Sequence, residues 1–234
     1  MAVSGKLVSR RRDVPSDPRR DCQRRSGARQ AGARLQRTEP SPLYQNELVR
    51  VLDIRIPPGH VTKYHVHANP YVAVSVQEAR VSLQVLGEAA GPSSSRAPVP
   101  DWGDNWDDPL PQTHRVANLD TVPLHRIAAE WLRPAPRGCS SLMATRRFEL
   151  LREGAFGRVY QIRLQPGQLT PWHTHSCPGL SVQGLKGSLL YLGTPPAAEG
   201  GSGAGHWIWR NADHRHVIRN RGTKPMTIIE IDWR

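Results

Sequence analysis

The chain has 234 residues, 38% of them hydrophobic, with 21 prolines, 20 glycines and a net charge of +12. That length fits one large or two small domains, and the Pro and Gly content favours many turns and short strands over long helices. No run of 18 apolar residues is present, which excludes a membrane-spanning helix, and three cysteines without a C-x-x-C pair exclude a disulfide framework.

Residues 1–40 hold eleven basic side chains against four acidic ones, a net +7 of the chain's +12. With almost no apolar periodicity, this segment is expected to form a disordered basic extension over residues 1–42. Its functional alternatives are a nucleic-acid or acidic-membrane arm and an organellar transit peptide, though Asp13, Asp17 and Asp21 fit the latter poorly. No apolar core of a secretory signal stands near the N-terminus, so the cytoplasm is the expected compartment.

From residue 49 the pattern changes. VRVLDIRI alternates apolar and polar residues with the period of a half-buried strand, and a Pro-Gly turn follows. Next come a strand bearing His65 and His67, then YVAVSV and ARVSLQVL, a loop over 87–112, and the strand PLHRIAAEWL. After a linker over 134–145 the same order returns as GRVYQIRL, a Pro-Gly turn, His173 and His175, GLSVQG, GSLLYLG, a loop over 193–205, and MTIIEIDW.

The recurrence is literal. Residues 50–76 align without a gap to 158–184, with eleven of 27 columns identical, among them Gly59/Gly167, Thr62/Thr170 and both histidines. Residues 114–132 align to 216–234 and pair His114 with His216, Asn118 with Asn220 and Trp131 with Trp233. The chain therefore reads as a duplicated module, residues 43–133 and 146–234, in an all-β architecture of small barrels or sandwiches.

On a strand, residues i and i+2 share a face about 6.6–6.8 Å apart, so two imidazoles in that spacing make half a metal site. His65 with His67, and His173 with His175, have that spacing. Of the remaining histidines only His114 and His216 align between the copies, and they are the expected third ligands. His214 is the rival of His216, since both stand in DHRHV, but Gln112 occupies its column in the first copy. Three imidazoles with open positions form a catalytic-type site for Fe, Zn, Mn, Ni or Cu, among which the ligands do not choose.

These residues resemble the cupin superfamily, and the chain resembles a bicupin. Gly59 followed by His65 and His67, and Gly167 followed by His173 and His175, match the family's first motif, G-x5-H-x-H-x3,4-E-x6-G. Pro109, His114 and Asn118 in one copy, and His216 and Asn220 in the other, match its second, G-x5-P-x-G-x2-H-x3-N. The motif's carboxylate is missing: Tyr71 and Val72, or Gly179 and Leu180, stand in its place, and its second-motif glycine is Pro111 or Asp213. The resemblance covers about residues 43–234. It implies two tandem double-stranded β-helix (cupin or jelly-roll) barrels, each with a three-His metal site.

Around that site Tyr71 is a candidate for the substrate pocket, as a phenol aimed at the ligand or as a wall packed on it. Arg55 and Arg163 share a column and would hold a carboxylate or sit outward as surface charges. Cys177 reads as a buried thiol, and Trp207 and Trp209 as core or barrel mouth. The expected function is that of a metal-dependent enzyme on a small organic acid or ketone, a dioxygenase or isomerase. Its alternative is a non-catalytic metal or small-molecule binder. The expected partner is a small-molecule ligand or substrate, with a homodimer allowed; neither nucleic acid nor a membrane is expected.

Overall fold

The repeated turns show how the chain builds its strands. Pro57–His60 and Gln165–Gln168 each close a turn, His60 N to Pro57 O at 3.1 Å and Gln168 N to Gln165 O at 3.0 Å. The third residue of each is glycine at positive φ, 68° at Gly59 and 79° at Gly167. Proline before a glycine in that region is the type II pattern, in which a Cβ would be strained. A computed structural model describes residues 42–77, 79–91, 101–136, 138–139, 148–184 and 186–234. The basic extension lies outside the described residues apart from Pro42, as do most of the central linker and much of the first long loop.

The first half contains β1 (Pro42–Gln45), β2 (Val49–Ile56), β3 (His65–His67), β4 (Tyr71–Gln77), β5 (Val81–Val85), β6 (Asp101–Asp104), β7 (Gln112–Asn118) and β8 (Leu124–Trp131). The second contains β9 (Phe148–Gly154), β10 (Gly157–Leu164), β11 (His173–His175), β12 (Gly179–Gln183), β13 (Leu189–Thr194), β14 (Ala198–Gly200), β15 (Trp207–Arg210), β16 (His214–Asn220) and β17 (Met226–Trp233). All pairings are antiparallel. The large sheets run β1-β2-β8-β4-β6 and β14-β15-β12-β17-β10-β9; the small ones run β3-β7-β5 and β11-β16-β13. Each half is thus a large sheet faced by a small one, with β1, β2, β8, β4 and β6 in the places of β9, β10, β17, β12 and β15. Among the described residues no helix is long and apolar enough to cross a membrane.

Two strands lie where the sequence pattern reads as loop. β6, DWGD, lies within 87–112 and pairs with β4, and β14 lies within 193–205 and pairs with β15. Gly and Asp are poor strand formers; pairing with a neighbouring edge overrides their propensity.

The largest apolar cluster lies between the two large sheets. Val49, Val51, Val72, Val74, Ile127, Ala129 and Trp131 of the first half meet Val159, Leu180, Val182, Trp207, Trp209, Ile229, Ile231 and Trp233 of the second. Trp131 and Trp233, a repeated pair in sequence, stack on each other at 4.9 Å with planes 9° apart. Trp106 adds to the seam, packing so closely on the β9–β10 hairpin that a Cβ at Gly154 would lie 2.6 Å from its ring. The opposite faces of the same strands enclose separate smaller cores, around Ile56 and Leu124 in one barrel and around Tyr160, Ile162, Leu189 and Ile228 in the other. Strand parity therefore sorts each residue: odd positions of β2 and β17 face the seam, even positions face a barrel interior.

The other repeated columns hold the barrels shut. Thr62 and Thr170 each accept a backbone N–H, from Val116 at 2.9 Å and Ile218 at 3.0 Å. Asn118 and Asn220 each donate Nδ2 to two backbone carbonyls, Ile56 and Val122, or Leu164 and Lys224. Asp213, in the place of the motif's glycine, has φ 57°, the left-handed region that aspartate tolerates better than most residues.

Candidate metal centres

The third histidine of each centre is the direct cross-strand partner of the first. β3 pairs with β7 so that His65 faces His114, and β11 pairs with β16 so that His173 faces His216. Opposed side chains on antiparallel strands lie close, and the rings do: His65–His114 at 4.7 Å and His67–His114 at 4.8 Å, His173–His216 at 4.2 Å and His175–His216 at 4.9 Å. Ligand atoms of His65, His67 and His114 fall within 4.8 Å of one another in the first barrel. In the second barrel His173, His175 and His216 do so together with Glu230.

Glu230 revises the expectation of three histidines in each barrel. The carboxylate comes not from the motif position but from β17, on the barrel-facing parity of that strand. Its Oε1 lies 3.3 Å from His216 Nε2 and its Oε2 lies 3.5 Å from His175 Nε2. At the motif position stands Gly179, where a Cβ would overlap the Ile231 carbonyl oxygen and lie 2.7 Å from Arg210 Nη2. In the first barrel Ala128 occupies the column of Glu230, and among the described residues no carboxylate joins that set.

Burial and tautomer prepare the imidazoles as donors. His65 and His173 place Nδ1 on backbone carbonyls, Lys63 at 3.1 Å and Pro171 at 2.8 Å, while His114 Nδ1 meets Gln112 Oε1 at 3.0 Å. An Nδ1–H so engaged leaves the Nε2 lone pair free to face the site. Burial, reinforced by His65, lowers His67 to about 4; burial with His67 and His65 lowers His114 to about 3. Burial lowers His216 to about 3 against the opposing pull of Glu230, and also lowers His173. Burial thus favours the neutral form of these rings, the form that binds metal. Burial alone would raise Glu230, but Arg210, His175 and His216 outweigh it and hold the carboxyl well below its usual range.

The second centre passes a direct test of fit. Nε2 of His173, His175 and His216 and Oε2 of Glu230 are all buried with no hydrogen-bond partner. Buried polar atoms are normally satisfied, and four converging lone-pair donors suit a transition-metal ion. The first centre is more open, with His65 and His67 only half-buried and His114 buried.

The remaining candidates separate cleanly. Tyr71 lies at the first centre, its ring 4.5 Å from that of His67, and burial raises its phenol. Arg55 and Arg163 do not reach either centre. Their side chains are 64% and 69% exposed, paired with Asp53 at 3.0 Å and Glu149 at 3.6 Å, because their parity is that of the seam-facing valines, beyond the end of the shared core. His214 is not in the ligand set, although it faces His175 across β11 and β16; its Nε2 lies 2.7 Å from the hydroxyl of Tyr191. Cys177 is buried, as are Trp207 and Trp209, which belong to the seam.

No family model matches the chain, and no curated protein resembles it in sequence. Solved structures resemble it in fold. AerE from Microcystis aeruginosa aligns over 84% of this chain and 97% of its own, with a TM-score of 0.60 and 12% identity. A mutant salicylate 1,2-dioxygenase from Pseudoaminobacter salicylatoxidans aligns over 80% and 72%, with a TM-score of 0.54 and 11% identity. Vicilin from Capsicum annuum aligns over 80% and 76%, with a TM-score of 0.53 and 12% identity. The architecture is the cupin jelly-roll fold.

Proposed function

We propose that the protein is a metal-dependent enzyme acting on a small organic acid or ketone, of dioxygenase or isomerase type, with its chemistry at the second centre. The observation that carries this reading is the convergence of three unpartnered imidazole Nε2 atoms and the free Glu230 oxygen in one buried site. His173, His175, His216 and Glu230 would hold a divalent ion of the Fe, Zn, Mn, Ni or Cu class. Bound there, it would supply Lewis-acid activation of a substrate oxygen, or redox chemistry if iron, manganese or copper. The protein's own part is to orient the ligands and wall the site: Phe148 packs edge-on against His173 at 4.9 Å and Tyr191 lies against His216 at 4.8 Å. A salicylate 1,2-dioxygenase among the structures of this fold supports the dioxygenase variant. The reading includes a cytoplasmic protein whose partner is a small molecule, with a homodimer allowed.

A second reading, a non-catalytic metal or small-molecule binder, is favoured by the first barrel, where among the described residues no carboxylate joins the imidazoles. Elemental analysis of purified protein beside His65→Ala and His173→Ala tests the metal; metal content unchanged in both variants would refute it. Oxygen uptake and product formation across small hydroxy acids, oxo acids and diketones separates the two readings, since metal without turnover leaves the binder.

A further inference from the structure

We infer that the two centres are unequal, and that a buried clamp of Ser181, Arg210 and Asp232 makes the second the tight one. This rests on the metal part of the proposed function and adds which barrel holds the ion and why.

The register makes the comparison direct. Ser181 faces Glu230 across β12 and β17, where Ala73 faces Ala128 across β4 and β8. Ser181 Oγ donates to Glu230 Oε1 at 2.7 Å, and Arg210 Nη1 donates to Ser181 Oγ at 3.2 Å. With Oε1 held by Ser181, Oε2 is the carboxylate oxygen left without a hydrogen-bond partner, 3.5 Å from His175 Nε2. Arg210 Nη2 also donates to Asp232 Oδ1, and His175 Nδ1 meets both, at 2.8 Å from that oxygen and 2.9 Å from Nη2. One guanidinium thereby orients both a carboxylate ligand and an imidazole ligand without belonging to the ligand set. Ser181, Arg210 and Asp232 are positioning residues.

Charge points the same way. Glu230, Asp232 and Arg210 are all at most 1% exposed, so two buried carboxylates face one guanidinium. An uncompensated buried charge is costly, and a cation between Glu230 and the histidines offsets it. In the first barrel Glu130 stands in the column of Asp232 but is already satisfied, by Arg50 at 2.7 Å and by Asn69 at 3.0 Å. Asn105 occupies the column of Arg210 and is spent on backbone, accepting from Tyr71 N at 2.8 Å. Among the described residues no carboxylate joins the three imidazoles there, and two of the three are partly open to water.

Titration of the chelator-stripped full chain with Co2+, followed by calorimetry and ligand-field absorbance, tests this. Wild type is expected to bind in two steps of unequal affinity. Ser181→Ala should weaken the tight step by roughly 10–100-fold, the usual cost of removing a group that orients a ligand, and leave the weak step in place. Ser181→Thr, which keeps the hydroxyl, should restore it, and Glu230→Gln should weaken it without change of side-chain size. His67→Ala should abolish the weak step alone. Two steps of equal affinity, loss of the tight step in His67→Ala, or a Ser181→Ala effect shared by both steps would overturn the inference while leaving a metal protein. Absence of any saturable Co2+ binding would overturn the metal reading itself, and this inference with it.

Discussion

Arg210 fills the space that a side chain at Gly179 would need. A Cβ there would lie 2.7 Å from Arg210 Nη2 and 2.9 Å from its Cζ, and would overlap the Ile231 carbonyl oxygen of β17. The missing motif carboxylate is therefore not a simple loss: Gly179 is bare because Arg210 lies there, and Glu230 supplies a carboxylate from the next strand. Restoring the motif with Gly179→Glu should not raise metal affinity. Gly179→Ala should destabilise the fold by about 1–3 kcal/mol, the range for overpacking a tight core, read from urea midpoints. A neutral Gly179→Ala would show that β17 and Arg210 yield more readily than their packing indicates.

The stack of Trp131 on Trp233 ties the two barrels into one apolar core. Trp233→Ala should cost about 3–5 kcal/mol, as truncations of large buried aromatics do. Because the seam belongs to both large sheets, the two barrels should unfold in one transition, with far-UV circular dichroism and tryptophan fluorescence giving coincident curves. Two separated transitions in the wild type would mean that each barrel stands without the other.

The six histidines were legible because a strand fixes which residues share a face and because the motif occurs twice. Glu230 was missed by the same filter. Comparing copies selects repeated columns, and Ala128 stands in its column. The signal was nevertheless present: in MTIIEIDW, Ile229, Ile231 and Trp233 alternate with Glu230 and Asp232, so one face of the strand carries both carboxylates. What periodicity does not reveal is what each face meets. Apolar residues on both sides of β12 and β17 imply two buried faces, but not that one is a barrel and the other a second copy's sheet. β6 and β14 were illegible for a related reason: their residues form strands only because β4 and β15 offer edges to pair with.

Arg55 and Arg163 test that parity argument. Both are exposed and paired only at the surface, so Arg55→Ala and Arg163→Ala should shift stability by less than about 0.5 kcal/mol. Metal content should be unchanged, as should the Michaelis constant for whichever acid proves to be turned over. A rise in that constant in Arg163→Ala would place a substrate carboxylate outside the barrel.

Cys177 stands two residues beyond His175, yet its thiol is a structural group. It is fully buried, and burial, with the hydrogen bond to Cys139, pushes it up to about 12. At pH 8 such a thiol is on the order of one part in ten thousand thiolate, and the thiolate is the reactive form. Iodoacetamide at pH 8 should therefore modify half-exposed Cys139 long before Cys177 in the folded protein, and both alike in urea, as read by peptide mass spectrometry. The sign of the stability effect follows. The unfolded chain releases this proton near the ordinary thiol value and the folded chain does not. The contribution is therefore full below that value and is lost as the pH rises toward 12. Equal labelling of the two cysteines in the native state would show that the segment after His175 opens, and with it the wall of the second centre.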